Sequence, residues 1–406
     1  MMKTGKPQLT DKKYAIPFLL ITVLFFLWGF SRAILDVLNK HFQNTLDISI
    51  TQSALIQVTT YISYFLLAIP AGLFINKWGY RRGVVCGLLL FGIGALLFIP
   101  GTEIGTFSAF LCALFVIGCG LVFLEVAANP YVTELGAPET ATSRLNFSQS
   151  FNGLGCLFAT FAVGQFLFSG DVENTNVAIP YTVLGIIVLI IALVFSKVSL
   201  PEIKHDDDAD EDGEQSGLRN LSQLWHHPLF VFGLFALLAY EVAEISINSY
   251  FINFVTGKGW MSDRMASVVL TFALAVFMVG RFVGSWIMRT VKASKMLLIC
   301  GIGTMACTSL VLLNLGKLSM VALMGNYFFE AIMFPTIFSL ALQGLGHLTK
   351  SASSLLMMTP VGGCGFMLMG YMADQTGNLS LPFVIPLIGY AVVVAFAYKV
   401  AKKTTV

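Results

Sequence analysis

Long hydrophobic runs separated by short polar intervals occupy most of this 406-residue chain. Runs of about 20 residues, enough to cross the ~30 Å core of a bilayer, begin near residues 15, 52, 83, 106, 147 and 179. After a polar interval they resume near residues 228, 265, 296, 319, 354 and 381. Because backbone groups in lipid must hydrogen-bond to one another, each run is predicted to be a helix. The pattern predicts an all-α integral membrane protein with twelve transmembrane helices.

The composition supports a membrane protein. Hydrophobic residues make up 56% of the chain and charged residues 11%, with a mean hydropathy of +0.81. A soluble protein carries about 25% charged residues. The net charge of +2 gives no indication of nucleic acid binding. The seven cysteines lie in apolar runs and none has zinc-site spacing, so we interpret them as small packing residues and expect neither metal nor cofactor.

The distribution of Lys and Arg predicts the orientation. With the N-terminus and the even-numbered loops taken as inside, 18 of the 24 cations lie on that side and four lie in the odd-numbered loops. Arg32 and Arg281 lie within runs. The count includes Arg144 as the cation of the loop between the fourth and fifth helices. By the positive-inside rule, both termini are predicted to be cytoplasmic.

One long polar segment divides the runs into two sets of six. Its DDDADEDGEQ core has no apolar face to bury, so a mobile cytoplasmic linker is predicted at 200–227. The remaining domains are then an N-terminal six-helix bundle, 1–199, and a C-terminal six-helix bundle, 228–406. The core also matches the first half of a calcium-binding loop. Arg219 stands where that loop needs a bidentate Glu, so a solvated acidic linker is favoured.

A weak internal repeat relates the two sets of helices. A shift of 205 positions lays Asp36 on Glu241, Glu125 on Glu330 and Pro130 on Pro335. These are intramembrane acids and helix-breaking prolines, which are rare in transmembrane segments. Two pseudo-symmetric six-helix bundles with a site between them are typical of transporters.

Glu125 and the amides that follow it form the most informative stretch. A carboxylate inside a hydrocarbon-length helix costs several kcal/mol unless it is paired, hydrated or protonated. Asn129 follows Glu125 by one turn, and the next helix contributes Asn146, Gln149 and Asn152. Such groups offer the donors and acceptors that a hydroxyl-rich ligand needs. The alternative is interhelical hydrogen bonding that only holds the helices together.

On the first helix, Trp28, Arg32 and Asp36 recur every four residues and share a face. Either Arg32 and Asp36 neutralise each other, or Asp36 faces a cavity while Arg32 tunes it. A buried ion pair is a weak stabiliser, which favours the functional interpretation.

The second set of helices carries polar residues of its own. Glu241, Glu244 and Asn248 fall on one side of the seventh helix, and Glu330 with Asn326 lies in the tenth. Some of these side chains are expected to line a cavity, but their spacing does not rank them.

The loop between the second and third helices, GLFINKWGYRR, resembles the loop 2–3 signature of the major facilitator superfamily. Gly72 and Gly79 allow close approach and a tight turn, and Arg81 and Arg82 mark the cytoplasmic side. This chain departs from the family at Asn76, where Asp is usual.

Within that superfamily the chain resembles the fucose:proton symporter family. The segments that carry the resemblance are FFLWGF (25–30), LDVLNKHFQ (35–43), LEVAANPYVTELG (124–136), SRLNFSQSFNGLG (143–155) and MFPTIFSLAL (333–342). The resemblance implies proton-coupling roles for Asp36 and Glu125 and substrate contacts for Gln149 and Asn152. Leu35 departs from the Asn that the family often has before its first-helix Asp.

The resemblance implies a symporter that imports a monosaccharide, L-fucose or a related hexose, together with a proton by alternating access. It implies a bacterial inner-membrane protein, without enzymatic activity, that works as a monomer. The candidate substrate-binding residues are Gln149, Asn152, Asp36, Asn129, Asn146, Glu241 and Asn248. Three alternatives remain: a sodium-coupled sugar carrier, a membrane enzyme that uses Asp36 and Glu125 as an acid/base pair on a sugar, and, least favoured, a sugar-sensing receptor without transport.

Overall fold

The computed structural model describes residues 10, 12–136, 141–168, 177–198, 222–288, 291–345, 348, 352 and 355–403. The core of the predicted linker, together with its calcium-loop match, lies outside these ranges. The side chains of Asn76 and Asn146 are also outside the description.

The described chain is organised as helices, labelled here α1 to α12 in chain order. Their bounds are α1 (Ala15–Leu46), α2 (Ile50–Ile75), α3 (Lys77–Ile104), α4 (Phe107–Glu134), α5 (141–167), α6 (Ala178–Lys197), α7 (Pro228–Gly257), α8 (Asp263–Ile287), α9 (Ala293–Leu312), α10 (Lys317–Leu342), α11 (Phe366–Thr376) and α12 (Leu381–Lys403). Within the described residues, eleven helices are long and apolar enough to cross a membrane. They begin within a few residues of the predicted runs, except that α3 and α5 each begin about six residues earlier.

The run predicted near residue 354 differs from the others. A 3₁₀ segment, Thr359–Gly365, precedes α11, which has only 11 residues. A β-carbon on Gly363 would lie 2.3 Å from the Tyr61 ring of α2, and one on Gly362 would lie 2.8 Å from the Val242 backbone of α7. The glycines thus permit contact with two neighbouring helices, but glycine is a poor helix former.

The described helices pack as two compact units. The first contains the described parts of Met1–Ile34, Leu66–Ala159 and Asn176–Ala209. The second contains those of Leu35–Phe65, Thr160–Thr175 and Asp210–Val406. Helix α1 contributes residues to both units. The units group residues by contact, so the division at 1–199, 200–227 and 228–406 stays a prediction.

The two repeated prolines have different effects on their helices. Helix α4 continues through position 130 to Glu134, whereas α10 is interrupted at Ala331 and Ile332. Pro335 has no N–H to donate to the carbonyl of Ala331, four residues earlier. Arg281 Nε of α8 donates to that carbonyl instead, at 3.2 Å. The freed backbone group is thus satisfied by a side chain, as lipid burial requires.

In the first unit, α1 and α5 cross through glycines. A β-carbon on Gly29 would lie 2.2 Å from the carbonyl oxygen of Asn152, and one on Gly155 would lie 2.2 Å from that of Phe26. Small residues at such a crossing let the two backbones touch. The crossing therefore fixes the position of Asn152 against α1.

We predict that Gly29→Ala destabilises the protein, because the added methyl overlaps backbone that cannot move aside. Overpacking of this kind costs about 1–3 kcal/mol. Gly72→Ala is the matched control, since its methyl would lie 4.0 Å from Val126 and alanine favours the helix. The measurement is the apparent melting temperature in detergent. Equal melting temperatures for the two variants would contradict the tight crossing.

Candidate functional site

Glu125 lies on α4 in the first unit, half-buried among fully buried neighbours such as Leu124 and Ala128. Asn129 lies one turn further on, and its Nδ2 donates to the backbone carbonyl of Glu125 at 3.1 Å. The predicted pair therefore shares a helix face, and the amide side chain is held against the same turn as the carboxylate.

The amides of α5 differ in their surroundings. Asn152 Nδ2 donates across the α1–α5 crossing to the carbonyl of Phe25 at 3.3 Å. Gln149 is half-buried on the same helix. Beside it, the Ser148 and Thr22 hydroxyls hydrogen-bond to each other at 3.0 Å between α5 and α1. Asn152 therefore bonds α5 to α1, and its contact with a substrate stays a prediction.

Asp36 lies in the second unit, where it ends a chain of three hydrogen bonds. Asn39 Nδ2 donates to Gln57 Oε1 at 2.8 Å, and Gln57 Nε2 donates to Ser249 Oγ at 3.0 Å. Ser249 Oγ then donates to Asp36 Oδ1 at 2.8 Å. All four side chains are buried, and they join α1, α2 and α7.

Asn39, Gln57 and Ser249 are not among the site residues predicted from the sequence. Asn39 follows Asp36 by three residues, so helical spacing alone places it near the same face. Gln57 and Ser249 gave no comparable signal, because a single uncharged polar residue is common in transmembrane helices.

The polar residues of α7 lie in two different surroundings. Asn248 Nδ2 donates to Glu244 Oε1 at 3.0 Å, so these two side chains engage each other one turn apart. Glu241 is buried where α7 meets the glycine-rich segment, with its Cβ 2.9 Å from the β-carbon that Gly362 would carry.

Glu330 is fully buried at the point where α10 is interrupted. Its Oε2 accepts from the Tyr390 hydroxyl of α12 at 2.6 Å and from Asn326 Nδ2 at 3.2 Å. Thr308 of α9 donates to Asn326 Oδ1 at 3.2 Å. Within the described residues, Glu330 Oε1 is buried without a hydrogen-bond partner. The spacing of the polar residues did not rank this acid above the others, but in the structure it is bonded to Tyr390 of α12 and, through Asn326, to Thr308 of α9.

The loop 2–3 motif forms a turn and a helix cap. Gly79 has φ 84° and ψ 162°, a conformation that essentially only glycine adopts. Arg81 donates from Nε to the carbonyl of Phe195 at 3.3 Å and from its guanidinium to the carbonyl of Ser196. These carbonyls lie in the last turn of α6, where a cation is favoured by the helix dipole. Arg82 is exposed.

Arg144 differs from its prediction as a cation of the loop between the fourth and fifth helices. It lies within α5, has no exposed surface, and donates from Nε to the carbonyl of Val132 at 3.0 Å. It therefore satisfies a carbonyl in the last turn of α4. A charge count by loop assigns a side of the membrane but does not report burial.

Known proteins match most of the chain. A model of the family described as Major Facilitator Superfamily matches residues 21–366. The glucose/galactose transporter of Brucella abortus biovar 1 is 34% identical over 391 residues, which cover 94% of this chain and 93% of that protein. The L-fucose-proton symporter of Escherichia coli is 33% identical over 414 residues, covering 95% and 93%.

A crystal structure of the Escherichia coli fucose:proton symporter is similar with a TM-score of 0.74 at 31% identity. The match covers 96% of this chain and 99% of that one. These findings confirm the predicted all-α transmembrane fold class and the resemblance drawn from the motifs. The chain is a multi-pass membrane protein.

We predict that Arg81→Gln lowers the stability of the protein more than Arg82→Gln does. Both variants lose one positive charge from the same loop, but only Arg81 holds the end of α6. A cation at a helix C-terminus contributes about 0.3–2 kcal/mol. Melting temperatures in detergent measure the difference. Equal losses would mean that the loop contributes only net charge.

Proposed function

Because the chain belongs to the major facilitator superfamily, we propose that it is a proton-coupled symporter that imports a monosaccharide by alternating access. The observation that carries the proposal is the nearly full-length similarity to an L-fucose-proton symporter and to a glucose/galactose transporter. The substrate class is then a hexose such as L-fucose, glucose or galactose. The cargo crosses the membrane chemically unchanged, so the protein is not an enzyme.

Two carboxyl groups in transmembrane helices support the proton-coupling part of the proposal. Glu125 lies on α4 and Asp36 on α1, both within apolar spans. An ionised carboxylate is costly to enclose in a bilayer-spanning segment, whereas the neutral acid is less so. We assign Glu125 as the principal proton site and Asp36 as a second one that also contacts the substrate.

The amide groups supply the sugar-binding part. Gln149, Asn152 and Asn129 belong to the first unit and Asn248 to the second. Amides offer both donors and acceptors to sugar hydroxyls. In this proposal Asn146 and Glu241 contribute further contacts.

One proton is sufficient to drive accumulation. A charge that crosses the membrane gains ~2.3 kcal/mol per 100 mV. Each ~1.4 kcal/mol changes an equilibrium tenfold. At about 150 mV, one coupled proton therefore supports a sugar gradient of a few hundredfold.

The deciding experiment is proton uptake by proteoliposomes offered a panel of fucose, galactose, glucose and mannose. We expect alkalinisation outside that depends on one or more of these sugars. Uptake driven by a sodium gradient without alkalinisation would favour sodium coupling, and a chemically altered sugar would favour an enzyme. The proposal includes a bacterial inner membrane, cytoplasmic termini and a functional monomer, and thiol labelling from each side tests the orientation.

We predict that Glu125→Gln separates exchange from accumulation. Glutamine resembles the protonated acid in shape and donates a hydrogen bond, so the variant should still exchange labelled for unlabelled sugar. It should not concentrate sugar when a pH gradient is imposed. Asp36→Asn is expected to lose exchange as well. Accumulation by Glu125→Gln would transfer the proton role to Asp36 or Glu330.

We predict that Gln149→Ala and Asn152→Ala each weaken sugar binding by about 1–3 kcal/mol, because a ligand hydroxyl loses its buried partner. Calorimetry measures the affinity. Asn152→Ala should also lower the melting temperature, since Asn152 bonds to α1. Unchanged affinity in both variants would leave these amides with a packing role only.

A further inference from the structure

The hydrogen-bond chain from Asn39 to Asp36 joins helices from both sequence halves. Asn39 and Asp36 lie on α1 and Gln57 on α2, in the first set of six helices. Ser249 lies on α7, the first helix of the second set. Ser249 accepts from Gln57 and donates to Asp36, so both interhalf bonds pass through one hydroxyl.

The three hydrogen bonds that connect Asn39 to Asp36 all run in one direction, from donor to acceptor toward Asp36. A serine hydroxyl has one proton, and Ser249 uses it on the Asp36 oxygen. Gln57 must therefore offer its amide nitrogen to Ser249, which turns its oxygen toward the Asn39 nitrogen. Every donor thus points toward the carboxylate. Buried networks that end on a charged group are stronger than isolated neutral bonds.

Two further hydrogen bonds join the two sequence halves, and both are exposed. Asn44 of α1 donates to Asp263 of α8 at 2.6 Å, and the backbone N–H of Thr51 on α2 donates to Asp374 of α11 at 2.8 Å. Water competes for exposed bonds of this kind, so each contributes little. The buried hydrogen-bond chain from Asn39 to Asp36 therefore contributes more than either of these exposed bonds.

We propose that Ser249 is a positioning residue that holds Asp36 to α7, and that this bond is released when α1 and α2 separate from α7 to admit the sugar. The inference rests on the proposed transport function. Alternating access moves one set of helices against the other, so bonds between the sets on the opening side must break. Asp36 then exchanges the Ser249 hydroxyl for a hydroxyl of the sugar.

Removal of the Ser249 hydroxyl weakens the closed arrangement selectively. In the closed arrangement, with α1 and α2 against α7, Asp36 loses a buried hydrogen-bond donor. A hydrogen bond to a charged group contributes strongly to the stability of such an arrangement. In the open state, water hydrates the same carboxylate with or without Ser249. Ser249→Ala therefore shifts the population toward the open state.

The test is hydrogen–deuterium exchange of the purified full-length protein, without sugar, for wild type, Ser249→Ala and Ser246→Ala. Ser246 is the matched control, because it lies on the same helix, is fully buried, and has a hydroxyl without a partner within the described residues. For Ser249→Ala we expect exchange about tenfold faster in 50–58 and 366–376. Ser246→Ala should match wild type, and Ser249→Thr, which keeps the hydroxyl, should restore slow exchange.

Two results would overturn the proposal. If Ser249→Ala and Ser246→Ala exchange at equal rates, the Ser249 hydroxyl does not hold α1 and α2 against α7. Acceleration that extends equally to α3 and α6 would show a general loss of packing. A separate calorimetric titration with the sugars of the panel should show tighter binding by Ser249→Ala, because less conformational work precedes binding. Absence of sugar binding by wild type would reject the transport proposal while leaving the exchange result intact.

Discussion

The absence of water in a bilayer governs this structure, because a polar group buried there is costly unless it finds a partner inside the protein. Arg281 serves the carbonyl of Ala331 that Pro335 leaves free, and Arg81 serves the end of α6. Arg144, buried completely, serves the last turn of α4. Three cations therefore act on backbone carbonyls, where a soluble protein would use solvent or small capping side chains.

The same constraint applies to the buried acids Glu330 and Asp36, which differ in the location of their hydrogen-bond partners. Glu330 is bonded to Tyr390 and Asn326, and all three residues come from the second sequence half. A motion of one half against the other leaves that group intact. Asp36 is bonded to Ser249 across the halves. Its hydrogen bond therefore breaks or forms in such a motion. The environment of Asp36 thus depends on the conformation of the protein, whereas the contacts of Glu330 do not.

The features that depend on contact with lipid could be predicted from the sequence. Those that depend on contacts between helices could not. Hydrophobicity placed the long helices because it reports contact with the bilayer, and the cost of charge there singled out Asp36 and Glu125. Ser249 could not be predicted, because an uncharged hydroxyl costs little free energy to bury in a transmembrane helix. Its role also depends on Asp36, a residue 213 positions away. The 3₁₀ segment before α11 was not predicted, because its glycines serve contacts with Tyr61 and Val242 that only the folded chain reveals.

Helix α1 contains two kinds of contact, and they differ in how readily they break. Gly29 packs against the backbone of Asn152 on α5 with no side chain between them. Separation of that crossing would leave a void that neither water nor lipid fills well. Two turns later, Asp36 bonds to a hydroxyl that water or a sugar can replace. The dry contact is the costlier one to lose, so in the proposed opening we expect α1 to keep its contact with α5 when the Ser249 bond breaks.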